Sequence, residues 1–401
     1  MKKLMYLLPV AALAMASCSN SEDVAQSVQS PVENQELKFF PAIQGNTRGA
    51  IETTASISQF YLKATGNLKT AAVGGADYAV AWQSVTKDGT AWTPTTKIYW
   101  ALDKEVNPTT PTPATGNFTA FANATKNDDG DLHDGTDITT TLDIVIPTDL
   151  SKQKDFVVAY NSGLRTAFSA GVPLHFRHAL SQIVVNATYA NDADATLLED
   201  NPELDIKVKS VKFANVASKN TLTLPSASTA SGQSYEPAWG NASVYADFAA
   251  TPASIIGLSS TAQFIDGSAA NNPLLLMPQT TAATTNLNPT SPATVEGAYL
   301  MVEVDINEKE SGDDVYPKEE DTYAWIAVPV AIDWKAGYKY TYTLNFSNIA
   351  AGYIAPGNKS HSSAEGAKDG DPVLGDIRKP VNFLVTVEEE WTDGGTFTPD
   401  L

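Results

Sequence analysis

From about residue 36 onward, apolar and polar side chains change places at every second position. Phe60, Leu62 and Ala64 alternate with Tyr61 and Lys63, and Ile206 and Val208 alternate with Lys207 and Lys209. The same pattern runs through Ala298 to Ile306 (AYLMVEVDI) and Val381 to Val387 (VNFLVTV). Successive side chains of a strand point to opposite faces, so a period of two predicts half-buried β-strands. Tyr338 to Phe346 (YKYTYTLNF) is rich in the aromatic and β-branched residues that suit a pleated surface. Stretches of Thr, Pro, Asn and Gly, such as Pro108 to Asn117 and Ser226 to Gln233, separate the runs and read as loops. Helical periodicity is scarce. No repeat of 20–50 residues recurs, which excludes solenoids and propellers. Many short strands joined by turn-rich loops predict an all-β protein built of β-sandwiches.

The chain has 401 residues. At roughly 100–200 residues per domain, two domains are expected. Gly171-Val-Pro173 is the only punctuation near the middle, which places an N-terminal sandwich over 49–175 and a larger C-terminal one over 176–401. With 46 acidic against 26 basic residues the formal net charge is -20. Such a surface repels phosphate backbones, so nucleic acid is not an expected partner. It equally disfavours an electrostatic grip on anionic lipid, and it keeps the chain soluble.

The N-terminus reads as an address. Lys2 and Lys3 are followed by an apolar run from Leu4 to Met15, too short to span a bilayer, then by Ala16 and Ser17. Residues 1–17 thus form a signal peptide. Cys18, the one cysteine of the chain, comes next, and a single cysteine makes no internal disulfide. The string Leu13-Ala-Met-Ala-Ser-Cys18 resembles a bacterial lipobox. That resemblance implies diacylglycerol transfer to Cys18, cleavage before it and acylation of the new N-terminus. The alternative is an ordinary secretory signal with an incidental cysteine. Several acyl chains anchor stably where one is marginal. The polar stretch to about Asn34 makes a tether, and Glu22-Asp23 resembles a surface-export signal of some Gram-negative anaerobes.

Chemistry-bearing patterns are missing. His175 and His178 are three apart on an expected strand and face opposite sides, so they share no metal. The acidic loop Asp128 to Gly135 departs from the EF-hand pattern, with Asp134 at the glycine position and Thr140 at the bidentate glutamate position. It reads as a solvated turn, and the acidic run Asn307 to Asp321 reads as an exposed hairpin loop. The nucleophile-elbow, dinucleotide, P-loop and zinc-protease motifs are all absent. Trp82, Trp92, Trp100, Trp325, Trp334 and Trp391 fall in or near strands and are expected in the core rather than in a sugar site. No catalytic residue, cofactor or metal site is assigned, and an enzyme is not expected.

Several segments carry a family resemblance: Leu37 to Arg48 (LKFFPAIQGNTR), Lys97 to Trp100 (KIYW), Phe118 to Ala122 (FTAFA) and Asp155 to Tyr160 (DFVVAY). Leu174 to Val185, Leu274 to Gln279, Val328 to Tyr342 and Phe383 to Trp391 continue the series. In their order and spacing the sequence resembles the fimbrillins, the lipoprotein-derived subunits of type V pili, in the Mfa-like branch. The resemblance implies two transthyretin-like β-sandwiches in tandem and an outer-membrane lipoprotein precursor with a propeptide over 18–48. It also implies an arginine-specific protease that cuts after an Arg near the end of the first strand. A C-terminal strand of another pilin subunit then fills the groove left behind. Cleavage would fall between Arg48 and Gly49.

The residues themselves agree with that route. Leu37 to Ile43 is a short β-type segment, Gly45 to Gly49 is small and polar, and Arg48 is the only arginine before Arg165. Val381, Phe383, Val385 and Val387 lie on one face of a strand, which suits either a donor strand or the last strand of the C-terminal sandwich. The tail Thr396 to Leu401 is a second donor candidate, and both stay open. The expected function is therefore a structural fimbrial subunit at the cell outer membrane. The alternative is a non-polymerising surface lipoprotein or pilus-tip adhesin that binds host protein or glycan.

Overall fold

The computed structural model describes residues 35–43, 57–70, 74–136, 138–191, 202–232, 234–242, 244–268, 273–288, 296–318, 322–362, 366–374 and 381–388. Strands dominate, as expected. The first half holds β1 (Phe39–Ile43), β2 (Gln59–Lys69), β3 (Gly74–Asp88), β4 (Ala91–Pro94), β5 (Tyr99–Trp100), β6 (Thr115–Ala122), β7 (Thr141–Val145), β8 (Val157–Leu164) and β9 (Val172–His178). Next come β10 (Ser181–Tyr189), β11 (Leu204–Thr223), β12 (Ala238–Trp239), β13 (Val244–Ala250), β14 (Ile256–Gly257), β15 (Gln263–Phe264), β16 (Leu274–Leu276) and β17 (Gln279–Thr281). The chain continues through β18 (Tyr299–Glu308), β19 (Asp314–Tyr316), β20 (Ala324–Pro329), β21 (Ile332–Trp334), β22 (Lys339–Phe346), β23 (Tyr353–Ile354) and β24 (Asn382–Glu388).

One sheet runs in the order β1-β9-β8-β6-β2-β3-β4, with β5 on β2. A second runs β15-β10-β22-β24, with β16 on β10. A third is built around β11, β18, β20 and β23, and β17 pairs with β21. Position 175 lies inside β9, while β7 pairs with β11 of the third sheet.

The central strands β6 and β8 are buried on both faces. Phe118, Ala120, Val157 and Ala159 enter the core that holds β1, whereas Phe121, Val158 and Tyr160 enter the core shared with the second and third sheets. FVVAY is a continuous apolar run and FTAFA is broken only by Thr119, whose hydroxyl donates to the Pro225 carbonyl at 2.9 Å; near-continuous apolar runs mark a strand covered on both sides. Ala298 to Ile306 differs from a simple alternation with one wet face. Leu300, Val302, Val304 and Ile306 face the large core, but Tyr299 and Met301 on the opposite face are also buried, against Leu287, Ala327 and Ala355. Segments around residues 287 and 355 roof that face, and no local pattern announces them.

Gly66 enforces a close approach. It sits at φ +125°, and a Cβ there would overlap the Thr115 carbonyl oxygen of the neighbouring β6. Glycine alone adopts that backbone at low cost.

Candidate functional site

β1 lies at the edge of its sheet and runs parallel to β9, with Phe39 opposite Val172 and Ile43 opposite Phe176. Just upstream, the Leu37 N–H donates to the Ile98 carbonyl at 2.8 Å, and the Trp100 N–H donates to the Gln35 carbonyl at 3.2 Å. In the opposite direction the Val172 N–H donates to the Lys38 carbonyl at 2.8 Å. The segment 35–43 is thus bonded along one side to residues 98–100 and along the other to β9. Pro41 falls in the phase that faces away from β9, so its missing N–H removes no bond from that ladder.

Alternate side chains of this segment enter the core. Leu37, Phe39, Pro41 and Ile43 are buried, while Phe40 is 49% exposed. The Phe39 ring meets Phe118 edge-on, and Phe118 in turn meets Trp100 at 5.9 Å and Phe168 at 6.0 Å between ring centroids. A buried side chain of this kind is worth about 1.5–3 kcal/mol. Removing the segment would leave an apolar slot walled by aromatic rings and an unpaired edge on β9. A cavity of about 360 Å³ opens beside β1, bounded by Gln35 to Lys38, Trp100 and Phe168 to Val172.

Gly171 shapes the rim of the slot. Its φ is +135°, and a Cβ would overlap the Phe40 ring and stand 2.9 Å from the Lys38 carbonyl oxygen. The sequence marks Gly171 only as punctuation; its role is close approach of two backbones. At the same end Lys97 pairs with Glu36 at 2.9 Å, and that carboxylate raises the Lys97 pKa. The pair is exposed, so salt weakens it.

Cys18, Arg48, Gly49, Trp391 and the tail Thr396 to Leu401 lie outside the described residues. Arg165 and Arg177 are within them, and both are engaged. Arg165 donates to Asp103 at 2.6 Å, and Arg177 lies over the Tyr235 ring and donates to the Tyr235 carbonyl at 3.0 Å.

The C-terminal candidate strand is β24. It pairs antiparallel with β22, Thr386 opposite Thr341 and Val385 opposite Tyr342, and it ends the second sheet. Val381 is buried just before it. Phe383, Val385 and Val387 pack against the large core and are only partly buried, and Leu384 on the other face is 59% exposed. The Phe383 and Tyr342 rings are 6.3 Å apart. The four residues do share one face, and in the single chain that face belongs to its own C-terminal half.

The remaining candidates are tied into local structure. In the acidic loop, Asp128 accepts from the Thr148 N–H at 2.8 Å, Asp131 from Asn127 at 2.8 Å and Asp134 from the Thr136 hydroxyl at 2.6 Å. These carboxylates serve separate turns. His175 is exposed, and His178 is buried with its Nδ1 2.9 Å from the Asp155 carboxylate. Among the described residues no three His, Cys, Asp or Glu side chains gather as a metal site. Trp100 and Trp334 are core residues, while Trp82, Trp92 and Trp325 are half-buried against core clusters.

No curated protein matches the chain in sequence. Among solved structures, it is similar to a candidate cell adhesion protein from Bacteroides uniformis, 13% identical over 91% of this chain and 100% of the other, with a TM-score of 0.40. It is similar to a candidate cell adhesion protein from Bacteroides ovatus, 13% identical over 90% and 99%, with a TM-score of 0.42. A fimbrial assembly protein from Parabacteroides distasonis is 10% identical over 79% and 93%, with a TM-score of 0.37. The family model described as fimbrillin-like matches residues 45–360, well over half of the sequence, and the chain belongs to that family.

Proposed function

We propose that this chain is a structural subunit of a cell-surface fimbria that supports adhesion. It is exported as a lipoprotein acylated at Cys18, cut between Arg48 and Gly49 by an arginine-specific protease, and polymerised by donor-strand exchange. Family membership supports the fimbrial part of this reading.

The observation that carries the exchange step is the seating of β1. It is an edge strand, and its buried residues Phe39, Pro41 and Ile43, with Leu37 just before it, come from the segment upstream of Arg48. A cut after Arg48 frees that segment from the body of the chain, leaving only non-covalent contacts to hold it. Loss of an edge strand exposes ladder groups that favour strand addition from another chain. In this reading the protein is two transthyretin-like sandwiches in tandem. The first receives the incoming strand and the second supplies it.

A second reading, a non-polymerising surface lipoprotein or tip adhesin for host protein or glycan, draws on β24. Paired with β22, it leaves a single chain complete in itself.

The test is limited digestion of the purified chain with an arginine-specific protease, followed by N-terminal sequencing and electron microscopy. A new N-terminus at Gly49 together with filaments is the expected result. An Arg48→Ala variant that forms filaments equally well would sink the proteolytic step. A chain cut at Arg48 that stays monomeric would favour the second reading.

A further inference from the structure

We propose that Asp103 is a guard residue: by holding the Arg165 guanidinium it keeps the Arg165–Thr166 bond from an arginine-specific protease and so confines the cut to the propeptide. This rests on the processing reading above and adds to it a residue that decides where the chain stays whole.

An enzyme that recognises arginine puts every accessible arginine of the chain at risk. Among the described residues there are two, Arg165 and Arg177; Arg48 and Arg378 lie outside them. Arg177 sits inside β9, opposite Val158 of β8. A bond held in a sheet is not offered as the free extended strand that a protease takes up. Arg165 is different. It follows the last residue of β8 and starts the turn Arg165–Phe168. Leu164 before it is 45% exposed, and Thr166 and Ala167 after it are exposed as well. Exposed loops with small residues are where folded chains are nicked.

A cut at this place would damage the slot that seats β1. The loop from Arg165 to Gly171 joins β8 to β9 and forms one rim of it. Phe168 packs on Trp100 and Phe118, and Gly171 closes on Phe40. Cleavage after Arg165 would end one fragment at β8 and leave that rim on another.

Three contacts hold the loop. Arg165 Nη2 donates to the Asp103 carboxylate at 2.6 Å, between side chains that are 20% and 33% exposed. The Arg165 backbone N–H donates to the Ala114 carbonyl at 2.8 Å, and the buried Phe168 ring anchors the far end of the turn. The first contact differs in kind from the other two. The guanidinium is the group the protease must draw into its own site, so Asp103 competes for recognition itself. Its carboxylate is well supported. Asp103 opens the short helical turn Asp103–Val106, in which Glu105 accepts from the Leu102 N–H and pairs with Lys69 of β2 at 3.1 Å.

The test is digestion of the full chain with an arginine-specific protease, for wild type and Asp103→Asn, with fragments identified by N-terminal sequencing. The cut after Arg48 is the internal reference. Cleavage of a briefly opened site follows the population of the open form, so losing a partly exposed charge-assisted hydrogen bond should speed the cut after Arg165 about tenfold. Chains beginning at Thr166 are expected from Asp103→Asn at an extent of Arg48 cleavage where wild type yields none. No difference between the two proteins in Thr166 chains would overturn the guard. Chains beginning at His178 alongside them would overturn it too, since they would mark a general loosening of the sheet instead of the release of one arginine. Failure of every protein to be cut after Arg48 would overturn the processing reading, and the Thr166 chains would still decide whether Asp103 shields Arg165.

Discussion

Phe39 and Phe118 stand edge to face with ring centroids 6.1 Å apart, joining the first strand to the centre of its sheet. Phe39 contributes only as long as its strand is attached or stays seated. Phe39→Ala should destabilise the uncut chain by about 3–5 kcal/mol, the range for truncating a buried Phe. In chains cut after Arg48 and assembled, the same substitution should have no effect. Denaturant unfolding of both forms checks this, and a variant that weakens the assembled form equally would mean that β1 is never displaced.

Gly171 limits how closely the first strand can sit. A side chain there meets the Phe40 ring and the Lys38 carbonyl in a backbone conformation that favours glycine. Gly171→Val should loosen residues 38–40 at a cost of about 1–3 kcal/mol. Hydrogen exchange at the Val172 amide, which donates to Lys38, should then speed up while the β18 amides remain protected.

Thr341 and Thr386 are opposite each other on β22 and β24. A Thr341→Cys/Thr386→Cys pair should form a disulfide that pins β24 to its own sheet. Oxidised chains cut after Arg48 should remain monomeric, and adding reductant should restore filaments. Assembly unaffected by the oxidised bond would remove β24 from the exchange.

Asp266 is buried with its carboxylate accepting from the Val185 N–H at 2.6 Å and the Ser268 N–H at 2.8 Å. Burial, opposed by those hydrogen bonds, raises its pKa above the ordinary aspartate value. Folding therefore favours the protonated carboxyl. The penalty for ionising it is absent below the unfolded-state pKa and grows as pH rises through the folded-state value. Relative to Asp266→Asn, the wild-type melting temperature should climb as the pH falls from neutral toward the ordinary aspartate pKa. A pH-independent difference between the two proteins would contradict this.

Much of the architecture was legible in residue order. The alternations Phe60-Leu62-Ala64 and Ile206-Val208 place those side chains in the cores. The alternation in Ala298 to Ile306 implies one wet face, because the roof over Tyr299 and Met301 comes from distant segments. The close approach of Gly171 to Phe40 leaves no trace in the neighbouring residues of the sequence. The Arg48 and Cys18 assignments come from local strings of residues.

Strand identity and the inward face of each strand follow from the sequence by itself, because a period of two is a local property of the backbone. Which edge each strand takes was decided only by the tertiary structure. LKFFPAI and VNFLVTV carry the same pattern, yet the first lies parallel to β9 across more than a hundred residues of chain and the second antiparallel to β22. Strand pairing is settled by which apolar slot is open and what else already fills it. That balance involves the whole packed core, and no single segment contains it.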